Sequence, residues 1–187
     1  RGLPRRIKVL YVTTLSRHSD WLTAAFAADG ASEVLLEEVI GATAGATRLR
    51  EEAFDAVLIT HEPGSLDALE MVAGWRAGGG DEPLIILGDV PHHTIDTLCY
   101  EAGADDYCCV ADTTVRSLLW KFARAIEQCR MAREHRRLLH ARQQRLQQEN
   151  QEAQRLLDQQ RALVAELESL NAIGTTAEPT LRAPVDD

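Results

Sequence analysis

Long apolar runs are missing from this 187-residue chain. A bilayer-spanning helix needs about 20 mostly apolar residues in a row, and no stretch approaches that, so no membrane segment is expected. The N-terminus also lacks the basic, apolar and small-residue succession of a secretory signal, and the expected location is the cytoplasm. Cysteine is scarce as well: Cys99, Cys108, Cys109 and Cys129 are the four, without CxxC spacing or a disulfide framework. They read as reduced thiols, and Cys108 and Cys109, adjacent on a strand, should point to opposite faces and share no metal. Aromatic residues make up 5% of the chain, and none lies between Arg130 and Arg145, its most basic stretch. That removes the stacking platforms on which single-stranded nucleic acid is usually read.

What is present is divided by charge. Residues 1–113 carry 8 basic against 19 acidic residues, whereas residues 114–173 carry 11 against 7. An acidic head is joined to a mildly basic continuation. In the head, strand and helix patterns alternate. Ile7 to Val12, Glu33 to Val39, Ala56 to Ile59, Leu84 to Leu87 and Tyr107 to Val110 are short β-rich runs. Between them, Asp20 to Ala28, Ala44 to Ala53, Ser65 to Trp75 and Thr94 to Ala102 have helical character, with breaks at Gly30, Gly78–Gly80 and Gly103. Five strands alternating with helices predict an α/β fold: a (βα)5, doubly wound, five-stranded parallel sheet of flavodoxin-like type.

From Val115 to Ile173 neither glycine nor proline occurs. A helix starting after Thr113 or Thr114 would run about 87 Å at 1.5 Å per residue, too long to fold back as one packed element. Its first part, with Val115, Leu118, Leu119, Phe122 and Ile126, has the spacing to cover the sheet. Its later part fits a heptad with Leu139, Leu146, Ala153, Gln160 and Leu167 at a, and Arg142, Glu149, Leu156, Leu163 and Leu170 at d. The seam is strong only from Ala153 to Leu170, where a parallel two-stranded coiled coil is expected with Gln160 setting register. Leu146, Ala153, Leu156, Leu163, Leu167 and Leu170 are its dimerisation residues. The predicted domains are 5–130 for the α/β head, 131–173 for the coiled coil and 174–187 for a disordered tail.

The motif EAGADDY, Glu101 to Tyr107, just before the last strand, and FDAVLI before the third strand's loop, together with the (βα)5 order, resemble the receiver domain of bacterial two-component response regulators. The likeness covers roughly residues 5–130. It implies a phosphoacceptor aspartate after the third strand, a magnesium-binding acidic pair after the first, a hydroxyl residue after the fourth and a lysine after the fifth. This sequence has Thr60, Thr13 and Thr14, Gly88 and Val110 at those positions. Every chemical position is replaced, so the resemblance implies a pseudo-receiver that keeps the fold and has lost aspartyl phosphorylation. Tyr107 matches the aromatic that reports phosphorylation in receivers, and a switch surface between it and the fourth helix is the candidate partner face. A tyrosine half-buried at the strand start accounts for the residue without switching.

His61, Glu62, Asp89, His92 and His93 lie in loops after the third and fourth strands and are the candidate metal ligands. Their spacing demands no metal, and no cofactor and no enzymatic activity are expected. Gly79–Pro83 superficially matches a cyclase signature but sits between a helix and a strand of the wrong domain. Two further functions stay open at this level. One is a ligand-sensing crevice at Thr13, Thr60, His61 and Asp89; the other is a nucleic-acid binder using the arginines of 130–145. The favoured function is a non-phosphorylatable signalling module that dimerises through its coiled coil and engages a protein partner or output domain.

Overall fold

The computed structural model describes residues 5–15, 18–28, 30 and 32–175. Its sheet has five parallel strands, β1 (Arg6–Thr13), β2 (Glu33–Ile40), β3 (Ala56–Thr60), β4 (Leu84–Gly88) and β5 (Asp106–Cys109), in the order β2-β1-β3-β4-β5. The helices between them are α1 (Ser19–Ala27), α2 (Ala42–Glu51), α3 (Ala68–Ala77) and α4 (His92–Ala102), and α5 (Val115–Thr175) follows β5. The strand order reverses beside β1, so the crevice beyond the ends of β1 and β3 is the switch point where such sheets bind ligands. The chain divides into two compact units, Arg1–Glu134 and His135–Asp187.

Both sheet faces are covered, and every residue of β3 and β4 is buried. Alternation along the strands builds two cores. Leu10, Val12, Val57, Ile59, Leu84 and Ile86 pack with residues of α2, α3 and α4 on one face. Tyr11, Leu58, Ile85, Leu87, Leu22, Phe26, Leu118 and Phe122 form the other with α1 and the start of α5. Cys109 falls in the first core and Cys108 in the second, as the period of a strand requires.

Local chemistry sets the helix ends. α3 begins at Ala68 rather than Ser65, because the Asp67 carboxylate accepts the amides of Leu69 (3.0 Å) and Glu70 (3.2 Å). Gly103 closes α4 at φ 96°, and the Ala104 amide donates back to the Cys99 carbonyl. Thr114 Oγ1 accepts the Ser117 amide at the start of α5. Gly45 lets α2 sit close on β1, since a Cβ there would lie 2.8 Å from Val12. The Gly79–Pro83 stretch is the α3–β4 loop, in which Glu82 accepts the Trp75 indole and Asp81 pairs with Arg133 at 2.7 Å. Of the tail expected to be disordered, 174–187, Gly174 and Thr175 instead continue α5, and the rest lies outside the described residues.

Candidate functional site

The strand-end crevice presents threonine hydroxyls at the ends of β1 and β3. Thr13 and Thr60, at the ends of β1 and β3, are 0% and 2% exposed. Thr60 Oγ1 lies 2.9 Å from the Tyr11 hydroxyl, which reaches it from the neighbouring strand. Thr14 Oγ1 donates to Glu62 Oε2 at 2.6 Å, tying the β1 loop to the β3 loop. His18 sits in the left-handed region at φ 66°, with Nε2 3.7 Å from Asp89 Oδ1. Thr13 Oγ1 and His18 Nε2 are the two buried polar side-chain atoms without a hydrogen-bond partner among the described residues.

The metal candidates are not drawn together. His61 is nearly buried, and its Nδ1 accepts the Ala68 amide at 3.3 Å, 3.8 Å from the Asp67 carboxylate. Glu62 is held by Thr14, and Asp89 lies near His18. His92 pairs with Asp96 at 3.1 Å one turn along α4, while His93 faces solvent. Among the described residues no three of His, Cys, Asp and Glu form a group able to hold a metal.

The second feature is a fixed aromatic. Tyr107 is 2% exposed rather than half-buried, and its hydroxyl donates to the Val90 carbonyl at 2.6 Å. The ring meets His92 edge-on at 5.2 Å. Gly88, at the end of β4, makes room for it: a Cβ there would lie 2.6 Å from the phenolic oxygen and 3.1 Å from Cε2. Burial pushes the Tyr107 phenol up to about 12. Val110 follows β5, its amide donating to the Gly88 carbonyl. Lys121 on α5 bonds Asp106 (2.7 Å) and the Tyr107 carbonyl (2.5 Å). Asp106 begins β5 whereas Val110 follows its end, so this ammonium is engaged at the opposite end of the strand from the crevice.

Three of these residues escaped the sequence reading. Tyr11 left one trace, a polar-tipped residue in an otherwise aliphatic buried run. His18 and Lys121 left none, because each is placed by an element distant in sequence from its partner.

In the second unit, all six seam residues are exposed; the five leucines are 51% to 65% accessible. Leu157 (48%) and Val164 (54%), at e positions, widen the stripe beyond the a/d seam. No helix among the described residues is long and apolar enough to cross a membrane.

No protein-family model and no curated protein matches this chain. Solved structures do. The receiver domain of a Francisella response regulator matches with a TM-score of 0.57 at 16% identity, over 65% of this chain and 98% of that one. The chain has the receiver fold. The signal receiver domain of an HD domain-containing protein from Pseudomonas fluorescens Pf-5 aligns with a TM-score of 0.59 at 18% identity, over 72% and 96% of the two chains. A receiver domain of a sensor histidine kinase from Pseudomonas aeruginosa PAO1, with magnesium in its active-site cleft, aligns at 0.54 and 20%, over 65% and 98%. At these identities the likeness is one of fold.

Proposed function

We propose that this chain is a receiver-like signalling module that works without phosphorylation, dimerises through its C-terminal helix and acts by contact with protein partners. The observation that carries this is the state of Thr60. Its hydroxyl is buried and engaged by Tyr11, at the position where a receiver accepts phosphoryl groups. An unactivated threonine is a weak nucleophile, and Lys121, engaged at the far end of β5, is not placed to neutralise phosphoryl charge. Magnesium favours anionic oxygens, and Thr13 and Thr14 offer it only neutral hydroxyls. Glu62, a carboxylate at the crevice, already accepts the Thr14 hydroxyl.

Gly88 and the Val90 carbonyl together support a single buried setting of Tyr107, so the face of α4 and β5 is presented to partners constantly. Leu98 and Tyr100 of α4, 50% and 81% exposed, are the apolar groups on that helix available to such a partner. The exposed seam of α5 supports self-association, because leucines repeated at a and d positions gain burial only against another helix. The direct test is labelling: the full chain incubated with acetyl phosphate and magnesium should take up no phosphoryl group at Thr60. Stoichiometric uptake there would end the proposal.

A second reading rests on Thr13 Oγ1 and His18 Nε2, which make no hydrogen bond among the described residues at the same crevice. A small neutral hydrogen-bonding ligand seated there would raise the unfolding temperature of the wild type and not of Thr13→Val.

A further inference from the structure

Two glycines interrupt the helices flanking β3, and they differ in kind. Gly45 in α2 is required by the chain's own packing, for a Cβ would collide with Val12 and Met71. Gly74 in α3 is required by nothing within the chain: a Cβ there would meet no atom within 4 Å. Glycine inside a helix is destabilising relative to alanine, so a glycine facing empty space points to something that approaches the backbone from outside.

That space is a groove of about 610 Å³ between α2 and α3. Ala46, Met71, Gly74 and Trp75 supply apolar lining, with Arg50 on the α2 bank and Glu70 on the α3 bank. Both charged residues are exposed, and neither side chain has a hydrogen-bond or ion-pair partner among the described residues. Opposite charges on the two banks are self-complementary under a two-fold axis, because each bank then meets the oppositely charged bank of an identical surface. A single helix bearing Glu70 and Gly74 one turn apart can lie in the groove of its mate, and the missing Cβ permits close crossing.

We propose that the α2–α3 groove seats a second copy of this chain, α3 crossing α3 near Gly74 about a two-fold axis, with Arg50 of each copy facing Glu70 of the other. This contact is separate from the α5 seam and does not rest on it.

The test uses the full chain and a Gly74→Cys substitution, with the thiol oxidant diamide. Cysteines at the crossing point lie close enough to join, so a disulfide-linked dimer is expected that the wild type does not form. Arg50→Glu added to Gly74→Cys should cut the yield at least about tenfold by setting like charges opposite each other, and Arg50→Glu with Glu70→Arg should restore it. The same cross-link should survive in a Leu163→Asp, Leu167→Asp background, which removes the α5 seam. Loss of the link in that background would assign it to the rod and overturn the groove contact. A Gly74→Cys chain that remains a free thiol, or a cross-link indifferent to both charge reversals, would also overturn it and leave a different protein or a small ligand as the occupant. If Gly74→Cys fails to fold, light scattering on Arg50→Glu, Glu70→Arg and the double reversal, each in the Leu163→Asp, Leu167→Asp background so that the α5 seam does not set the mass, decides. Weakened association in each single variant with recovery in the double supports the contact, and equal mass in all three overturns it.

Discussion

Adding one methyl group at Gly88 tests the fixed setting of Tyr107. In Gly88→Ala the new Cβ would lie 2.6 Å from the Tyr107 oxygen, 3.1 Å from Cε2 and 3.2 Å from Cζ, all inside contact distance. The ring is 2% exposed and packed in the first core, so it cannot yield without disturbing its neighbours. Overpacking of this kind costs about 1–3 kcal/mol, and losing the 2.6 Å bond to Val90 adds about 1 kcal/mol. The reduced freedom of the unfolded chain returns up to about 1 kcal/mol. A net loss of about 1–4 kcal/mol is expected, read as a lower urea midpoint with an unchanged m-value. Tyr107→Phe removes the atom that collides first, so Gly88→Ala should cost at least about 1 kcal/mol less in that background. If Gly88→Ala costs under about 0.5 kcal/mol, or if the two changes are additive, Gly88 is not what admits the tyrosine and the fixed-setting proposal fails.

Other outcomes are equally specific. Tyr11→Phe leaves the Thr60 hydroxyl buried without its partner and should destabilise the domain by about 1–3 kcal/mol; a change within error would show that the hydroxyl finds another hydrogen-bond partner. Leu163→Asp with Leu167→Asp should convert a dimer to a monomer in light scattering, since burying each leucine is worth about 1.5–3 kcal/mol; an unchanged mass would refute the seam. Alkaline pH should weaken the first unit. Burial pushes the Cys99 and Cys129 thiols up to about 11 and Cys108 to about 12, from 9.0, and the Tyr107 phenol to about 12, from 10.0. A raised folded value means the neutral form is favoured in the fold, so this stability is whole below pH 9 and declines as pH rises towards 12. The urea midpoint should therefore fall steadily between pH 9 and 11, and a flat profile would show that these groups open to solvent without unfolding.

Much of the fold was legible because the signals are local. Aliphatic runs such as Leu84–Leu87, glycine stops and the EAGADDY motif each act within a few residues, and all five strands and the long helix stand where they were expected. Boundaries moved by two or three residues where caps decided them, as at Asp67. The crevice was legible only as a set of strand-end positions. Position along the chain identified Thr13, Thr14, Thr60 and Gly88, but not that Tyr11 would engage Thr60 or that Gly88 would accommodate Tyr107.

Composition and periodicity by themselves determined that this protein alternates strand and helix, buries its sheet on both faces and extends an apolar heptad stripe with no cover of its own. These follow from side-chain solubility and the 2.0 and 3.6 residue periods, which need no long-range information. Only the tertiary structure decided that Thr60 is engaged, that Tyr107 is wholly buried and that Gly74 faces an open groove while Gly45 does not. Those outcomes depend on separations of 49 residues between Tyr11 and Thr60 and 17 between Val90 and Tyr107, which the parallel register closes to single hydrogen bonds.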